Sequence, residues 1–367
     1  MSICRPRASG EPARWGLSPF IASSPHVQGG CRRRSRPFIW MMVIRPHVPL
    51  GMAVVLSNVE KSFGRVRVLN GLELEVGKGE YFVVLGPSGE GKSTSLNIIA
   101  GILRPDRGEV HLGGALVDDS GDVYIPPERR NVGYVFQSYA LYPHMTAFDN
   151  IAFPLKMAKQ PREEINRAVL EVAQLLGIRE VLNKKPAQLS GGQRQRVAVA
   201  RALVKRPRVL LMDEPYSNID PLLRESVRAE IRRIIKDLGI ATLMVTHDRE
   251  EAMALADRLG VLRRGRLLQV GTPQEVLQKP CCPDVAVFMG YNLVPMDGRL
   301  LAFRPEDAEL GADDFVGELI DVEFRGRWWA VVARVGGSLV KLYTAERPST
   351  NGKIRFGVRR LLEYAAE

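Results

Sequence analysis

The nine residues Gly86-Pro-Ser-Gly-Glu-Gly-Lys-Ser-Thr94 constrain this chain more than any other stretch. They fit the pattern GxxxxGK[ST], follow the apolar run Tyr81–Leu85, and run into a helical segment, Ser93 to Ala100. Glycines in such a loop let backbone N–H groups turn inward and approach phosphate oxygens closely. The helix start adds positive partial charge. Lys92 offers a point charge to a β- or γ-phosphate, and Ser93 offers a hydroxyl to Mg²⁺. A glycine-rich turn that matched by chance would lack the strand before it and the helix after it.

Two further stretches share this character. Val209–Met212 is apolar and ends in Asp213 and Glu214, which reads as a buried parallel strand delivering carboxylates to one edge of a sheet. Asp213 is placed to reach Mg²⁺ beside the phosphate loop, and Glu214, one residue on, to serve as a general base for water. Read alone, the two acids serve equally well as a cap for the next helix. In Leu189-Ser-Gly-Gly-Gln193, Ser190 and two glycines open a helix. That makes either a plain N-cap or a second anion-binding helix start. One nucleotide site has no obvious need of two phosphate cradles, whereas a dimer with shared sites does.

Around these motifs, strand-like runs alternate with helical ones. VVLSNV, RVRVL and LELEV precede YFVVL. Helical periods follow at residues 162–182 (ending near Gly177), 190–205, 222–237 and 249–257, with a strand at 241–246. Such alternation implies an α/β core with a parallel sheet. After about Pro280 the chain reads as short strands: VGELIDVEF, WWAVVARV, SLVKLY and KIRFGVRRLL. These suggest a small, barrel-like β domain.

A net charge of +11 raises nucleic acid as a partner. Its distribution argues otherwise. Residues 1–51 hold eight arginines against one acid, Glu11, a net +7, which leaves +4 for the other 316 residues. The leader reads as disordered, as a transit peptide, or as an over-extended start ahead of Met52. The longest apolar run, Phe38 to Ile44, falls far short of the roughly 20 residues that span a bilayer. Any membrane role therefore needs other polypeptides. The four cysteines show no metal or disulfide spacing and fit a reducing compartment.

LSGGQ between a phosphate loop and a DEP motif resembles the ABC ATPase family over residues from about 54 to 280. The resemblance implies an α/β P-loop NTPase cassette with a parallel core sheet, a small antiparallel β subdomain and a helical subdomain. It implies ATP and Mg²⁺ as ligands. Gln137 is similar to the Q-loop glutamine that contacts Mg²⁺ and the attacking water, and His247 to the switch histidine. Ser217 to Asp220 resembles the D-loop that crosses the dimer, and Phe63 the aromatic on which adenine stacks. The implied catalytic set is Glu214, His247 and Gln137, and the implied metal set is Ser93, Gln137 and Asp213. Nucleotide would be held by Phe63, Gly86, Pro87, Ser88, Gly89, Glu90, Gly91, Lys92, Ser93 and Thr94 of one subunit. Its twin would add Ser190, Gly191, Gly192, Gln193 and Asp220 in a head-to-tail sandwich. Two positions depart from the pattern: Glu90, expected to point away but able to weaken nucleotide affinity, and Tyr216, from which little is expected.

FQSYALYPHMTAFDNIAFPLK resembles the maltose/glycerol-phosphate importer branch, in which a coupling helix of the membrane subunit would meet Tyr139–His144. Arg304–Asp307 (RPED) resembles an element of the TOBE-type, OB-like domain that follows the cassette there, shortened here. The organisation expected is residues 1–51 leader, 52–285 ATPase and 286–367 β domain. The expected partners are a homodimer (or ABC heterodimer) twin, multi-span permeases and, indirectly, an extracytoplasmic solute-binding protein, with no nucleic acid. The expected place is the cytoplasmic face of the membrane. Sugar is the first substrate class; polyamine, iron or sulfate importers share these motifs. A non-transport ABC ATPase of DNA repair or translation usually carries two cassettes or a coiled coil, unlike this chain.

Overall fold

Among the described residues the first strand opens at Met52. The computed structural model describes residues 51–348 and 352–365. The expectations for the leader lie outside the described residues, apart from Gly51.

β1 (Met52–Phe63) and β2 (Val66–Gly77) form an antiparallel pair. RVRVL and LELEV, read above as two strands, are one. Between them Gly71 adopts φ +69, and a Cβ there would lie 2.9 Å from Asn58 Oδ1. The ladder slips register at this point and continues. β3 (Tyr81–Leu85) is wholly buried and leads through the phosphate loop into α1 (Lys92–Ala100). β4 (Arg107–Leu112) and β5 (Ala115–Asp118) complete a four-stranded antiparallel sheet, β2-β1-β4-β5.

The chain continues through β6 (Val132–Val135), α2 (Ala147–Met157), α3 (Arg162–Leu175) and α4 (Gly191–Leu203). β7 (Val209–Asp213), α5 (Pro221–Asp237), β8 (Ala241–Thr246) and α6 (Arg249–Leu255) follow. β9 (Arg258–Arg263) and β10 (Arg266–Gly271) close a six-stranded sheet, β10-β9-β3-β8-β7-β6, parallel except at β10.

The two-residue period of its strands divides the interior. Tyr81, Val83, Leu85, Leu210 and Met212 face the core under α2 to α6. Phe82, Val84, Val209 and Leu211 face the core shared with α1 and the antiparallel sheet. A strand buried on both faces has one place left for polar groups, its end. β3, β8 and β7 are neighbours, so the residues after each come out side by side.

After α7 (Pro273–Gln278) and α8 (Pro283–Phe288) the described residues form seven strands. β11 (Asn292–Met296) and β12 (Arg299–Phe303) form a hairpin absent from the reading above. Its signal was the turn Asp297-Gly298, both residues at positive φ, +50 and +72. β13 (Ala308–Phe324), β14 (Trp329–Val335), β15 (Ser338–Thr344) and β16 (Lys353–Val358) form a four-stranded sheet. β17 (Leu362–Ala365) joins β11 and β12 in a second, so KIRFGVRRLL splits between two sheets. Both sheets share one core, in which Phe303, Phe315 and Phe356 meet with ring centroids 5.3 to 5.8 Å apart. No helix among the described residues is long and apolar enough to cross a membrane.

Candidate functional site

The phosphate loop is shaped by what its glycines touch. A Cβ on Gly86 would fall 2.5 Å from the Leu262 carbonyl oxygen, so the loop leaves β3 against β9 with no room to spare. Gly91 precedes α1 at φ +98, hard against Leu69 and Val68 of β2. Ser88 and Gly89 lie exposed, and Thr94 is half-buried in the first turn of α1. Lys92 is buried, and its Nζ donates to the carbonyls of Gly86 and Pro87, each at 2.8 Å. Burial lowers its pKa, opposed by the charges of Glu214, Asp213 and Glu90.

α1 is held from behind by a residue the sequence did not single out. Arg130 donates to the Ile98 and Ile99 carbonyls at the C-terminus of α1, to Ile125, and to Asp118, with both side chains of that pair fully buried.

Asp213 ends β7, and its Oδ1 accepts from Ser93 Oγ at 2.9 Å. Burial raises the Asp213 carboxyl above its ordinary range; Ser93 and Lys92 act against that rise and Glu214 with it. Glu214 adopts φ +42, a left-handed backbone unusual for a glutamate and costly without surrounding constraint. That turn swings its carboxylate into the middle of the site. Glu214 Oε1 lies 2.9 Å from His247 Nδ1 and 4.0 Å from Lys92 Nζ, and Oε2 accepts from Gln137 Nε2 at 3.1 Å. Three strand ends and the loop after β6 thus bring Lys92, Ser93, Gln137, Asp213, Glu214 and His247 together.

The donor set suits Mg²⁺. A hydroxyl and a desolvated carboxylate sit 2.9 Å apart, and the Gln137 amide, bonded through its nitrogen to Glu214, keeps its oxygen as a further hard ligand.

Ser190 lies elsewhere. It caps α4 in a reciprocal box, its hydroxyl accepting from Gln193 N–H while Gln193 Oε1 accepts from Ser190 N–H. Among the described residues no hydrogen bond or ion pair joins Ser190–Gln193 to residues 86–94. Its neighbour is the following loop: a Cβ on Gly191 would lie 3.2 Å from the Asn218 carbonyl, and Asn218 donates to the Gln137 carbonyl at 2.9 Å. Asp220 caps α5, accepting from Leu222 N–H. Phe63 is 49% exposed at the end of β1, with Lys61 Nζ 5.8 Å from its ring centroid, an open aromatic platform.

Two tyrosines near the site are buried. Tyr216 is fully buried in the core beneath the acids, against Tyr81, so it is a structural residue of the site's floor. In Tyr139–His144, Tyr139 is also buried, at φ +63. The outward face there is a groove of about 270 Å³ lined by Phe136, Tyr142, Phe153, Arg201 and Lys205.

A parallel sheet with a phosphate loop, an acid pair and a histidine at its strand ends defines a P-loop nucleotide hydrolase. Residues 69–217 match the protein family described as ABC transporter. The trehalose/maltose import ATP-binding protein of Thermococcus litoralis is 53% identical over 272 residues, 74% of this chain and 72% of that protein. The molybdate/tungstate import ATP-binding protein of Pyrococcus horikoshii is 50% identical over 249 residues, 67% of this chain and 70% of that one. A dimeric ATP-binding cassette solved in a post-hydrolysis state with ADP and Pi superposes with a TM-score of 0.53 at 32% identity, over 60% of this chain and 98% of that one. The chain belongs to the ABC transporter family of ATP-binding proteins, and it is an ATPase of that class.

Proposed function

We propose that the chain energises an importer of sugars or related small solutes, as a head-to-tail dimer on the cytoplasmic face of multi-span permeases. The observation that carries this reading is the placing of Glu214 between His247, Gln137 and Lys92, while no hydrogen bond or ion pair among the described residues joins Ser190–Gln193 to the phosphate loop. A second copy would bring that helix start to the nucleotide.

In this reading the ATPase domain spans residues 52–285 and a shortened β domain residues 286–367. Lys92 and the N–H groups of Gly86 to Thr94 hold the phosphates, and Phe63 stacks on adenine. Ser93, Asp213 and Gln137 hold Mg²⁺, which when bound neutralises phosphoryl charge. Glu214 accepts the proton of the attacking water, and His247, bonded to it, reads the γ-phosphate. The partner's Ser190, Gly191, Gly192 and Gln193 close over the phosphates, and Asp220 lies where the two copies cross. The groove around Tyr142 receives the permease's coupling segment.

Sugar is favoured by the trehalose/maltose relative; the molybdate/tungstate relative, nearly as similar, supports an oxyanion importer as the second reading. Affinity purification of the tagged chain from detergent-solubilised membranes tests the assembly: recovery of multi-span permeases with a twofold complement of this chain supports it. A soluble monomer free of membrane proteins refutes it. Uptake of labelled maltose or of molybdate by cells lacking the gene then separates the two substrate classes.

A further inference from the structure

Glu90 puts a carboxylate into a loop whose chemistry gathers anions. It stands two positions before Lys92, the amine meant for the phosphates. Unopposed, the carboxylate's charge would repel the phosphates that Lys92 attracts.

The carboxylate is not unopposed. One oxygen accepts from Arg263 Nη1 at 2.5 Å, and the other accepts from the Arg264 backbone N–H. Arg263 is the last residue of β9, and Arg264 and Gly265 turn the chain into β10 at φ +49 and +71. This turn is itself anchored: a Cβ on Gly265 would lie 2.4 Å from the Val68 carbonyl oxygen, and Asn70 N–H donates to the Gly265 carbonyl at 3.0 Å. Arg263 also lies 3.8 Å, through Nε, from Asp284 of α8. The glutamate is 15% exposed, buried enough for an ion pair to be screened less than at the surface.

We propose that Arg263 is a positioning residue for ATP binding: it cancels the charge of Glu90 and holds that carboxylate on the far side of the phosphate loop. Arg263 itself touches no reacting atom. The inference rests on the reading of residues 86–94 as the nucleotide cradle.

Removing Arg263 leaves Glu90 with one backbone donor and a charge free to act on the phosphates. For Arg263→Ala in the full chain, KM for ATP should rise about tenfold, or about 1.4 kcal/mol, with kcat within about twofold. Glu90→Gln alone should lower KM, because the negative charge beside the phosphates is gone while the Arg263 charge and the loop's backbone N–H groups remain. The decisive variant is the pair E90Q/R263A, in which KM should return to the wild-type value, because the charge that Arg263 opposed is gone. Such non-additivity separates charge cancellation from scaffolding. If Arg263 merely braced the turn, the pair would be as impaired as R263A or worse. Either that result or an unchanged KM in R263A overturns the proposal. Where R263A does not fold, R263Q carries the same comparison. Lys92→Ala is the control for the underlying reading. If it keeps nucleotide affinity, the cradle assignment fails. If it loses affinity while the pair E90Q/R263A stays as impaired as R263A, the Arg263 assignment alone fails.

Discussion

Replacing Glu214 by Gln tests the centre of the site, because the amide keeps the shape and removes the proton acceptor. The structure gives Glu214 contacts of 2.9 Å to His247 and 3.1 Å to Gln137, which an amide can approximate. Folding should therefore survive, and the loss should fall on chemistry. General-base assistance is worth about 10²- to 10⁴-fold, or about 2.7 to 5.4 kcal/mol in the barrier. Steady-state phosphate release by E214Q should fall by about that factor. Nucleotide affinity should hold or improve, since one negative charge near the phosphates is gone. With turnover stopped, ATP should hold the dimer closed, which light scattering coupled to gel filtration would register as doubled mass. A rate above a tenth of wild type would refute the base assignment, and a normal rate loss without an ATP-dependent dimer would refute the sandwich.

Arg130→Met should destabilise the chain. Breaking a buried pair costs about 3–5 kcal/mol, and the lower end applies because Asp118 keeps Arg104 at 3.1 Å. Calorimetry should show Tm falling by about 6–12 °C, and a fall under about 2 °C would exclude a structural role. Glu251, buried with its Oε2 accepting from Thr246 Oγ1 at 2.8 Å, has its carboxyl raised chiefly by burial. A raised acid binds its proton better folded than unfolded, so its contribution is fully favourable below the unfolded value of about 4.3 and is lost as pH rises through the folded one. Glu251→Gln should thus raise Tm at pH 7, the gain vanishing toward about pH 4; a lower Tm at pH 7 would contradict this. Replacing Ser190, Gly191 and Gly192 together should abolish hydrolysis while leaving single-copy ATP binding intact, and a full rate would overturn the shared-site reading.

Much of the site is legible in the sequence because its parts are local. The phosphate loop, the acid pair and the LSGGQ cap each depend on residues a few positions apart, whose backbone needs show directly in glycines and short polar side chains. The helical periods behind α1, α3, α4, α5 and α6 were legible for the same reason, whereas α2, with Pro154 inside it, and the six-residue α7 were not. The hairpin β11–β12 was not, since two five-residue strands carry too little alternation to stand out and the Asp297-Gly298 turn is a small signal. Tyr139, read as part of an outward contact, is buried, and nothing local in the sequence distinguishes it from its exposed neighbours.

Sequence by itself determined the chemistry on offer: a lysine and glycines for phosphate, hydroxyl and carboxylates for a hard cation, an acid and a histidine near it. Tertiary structure alone decided how those groups meet. The order β9-β3-β8-β7 sets Glu214 against His247 and Lys92, and it carries Arg263 across 173 residues of chain to Glu90. The physical reason is that local backbone preference acts over one turn, whereas charge pairing and burial are settled by which strands become neighbours.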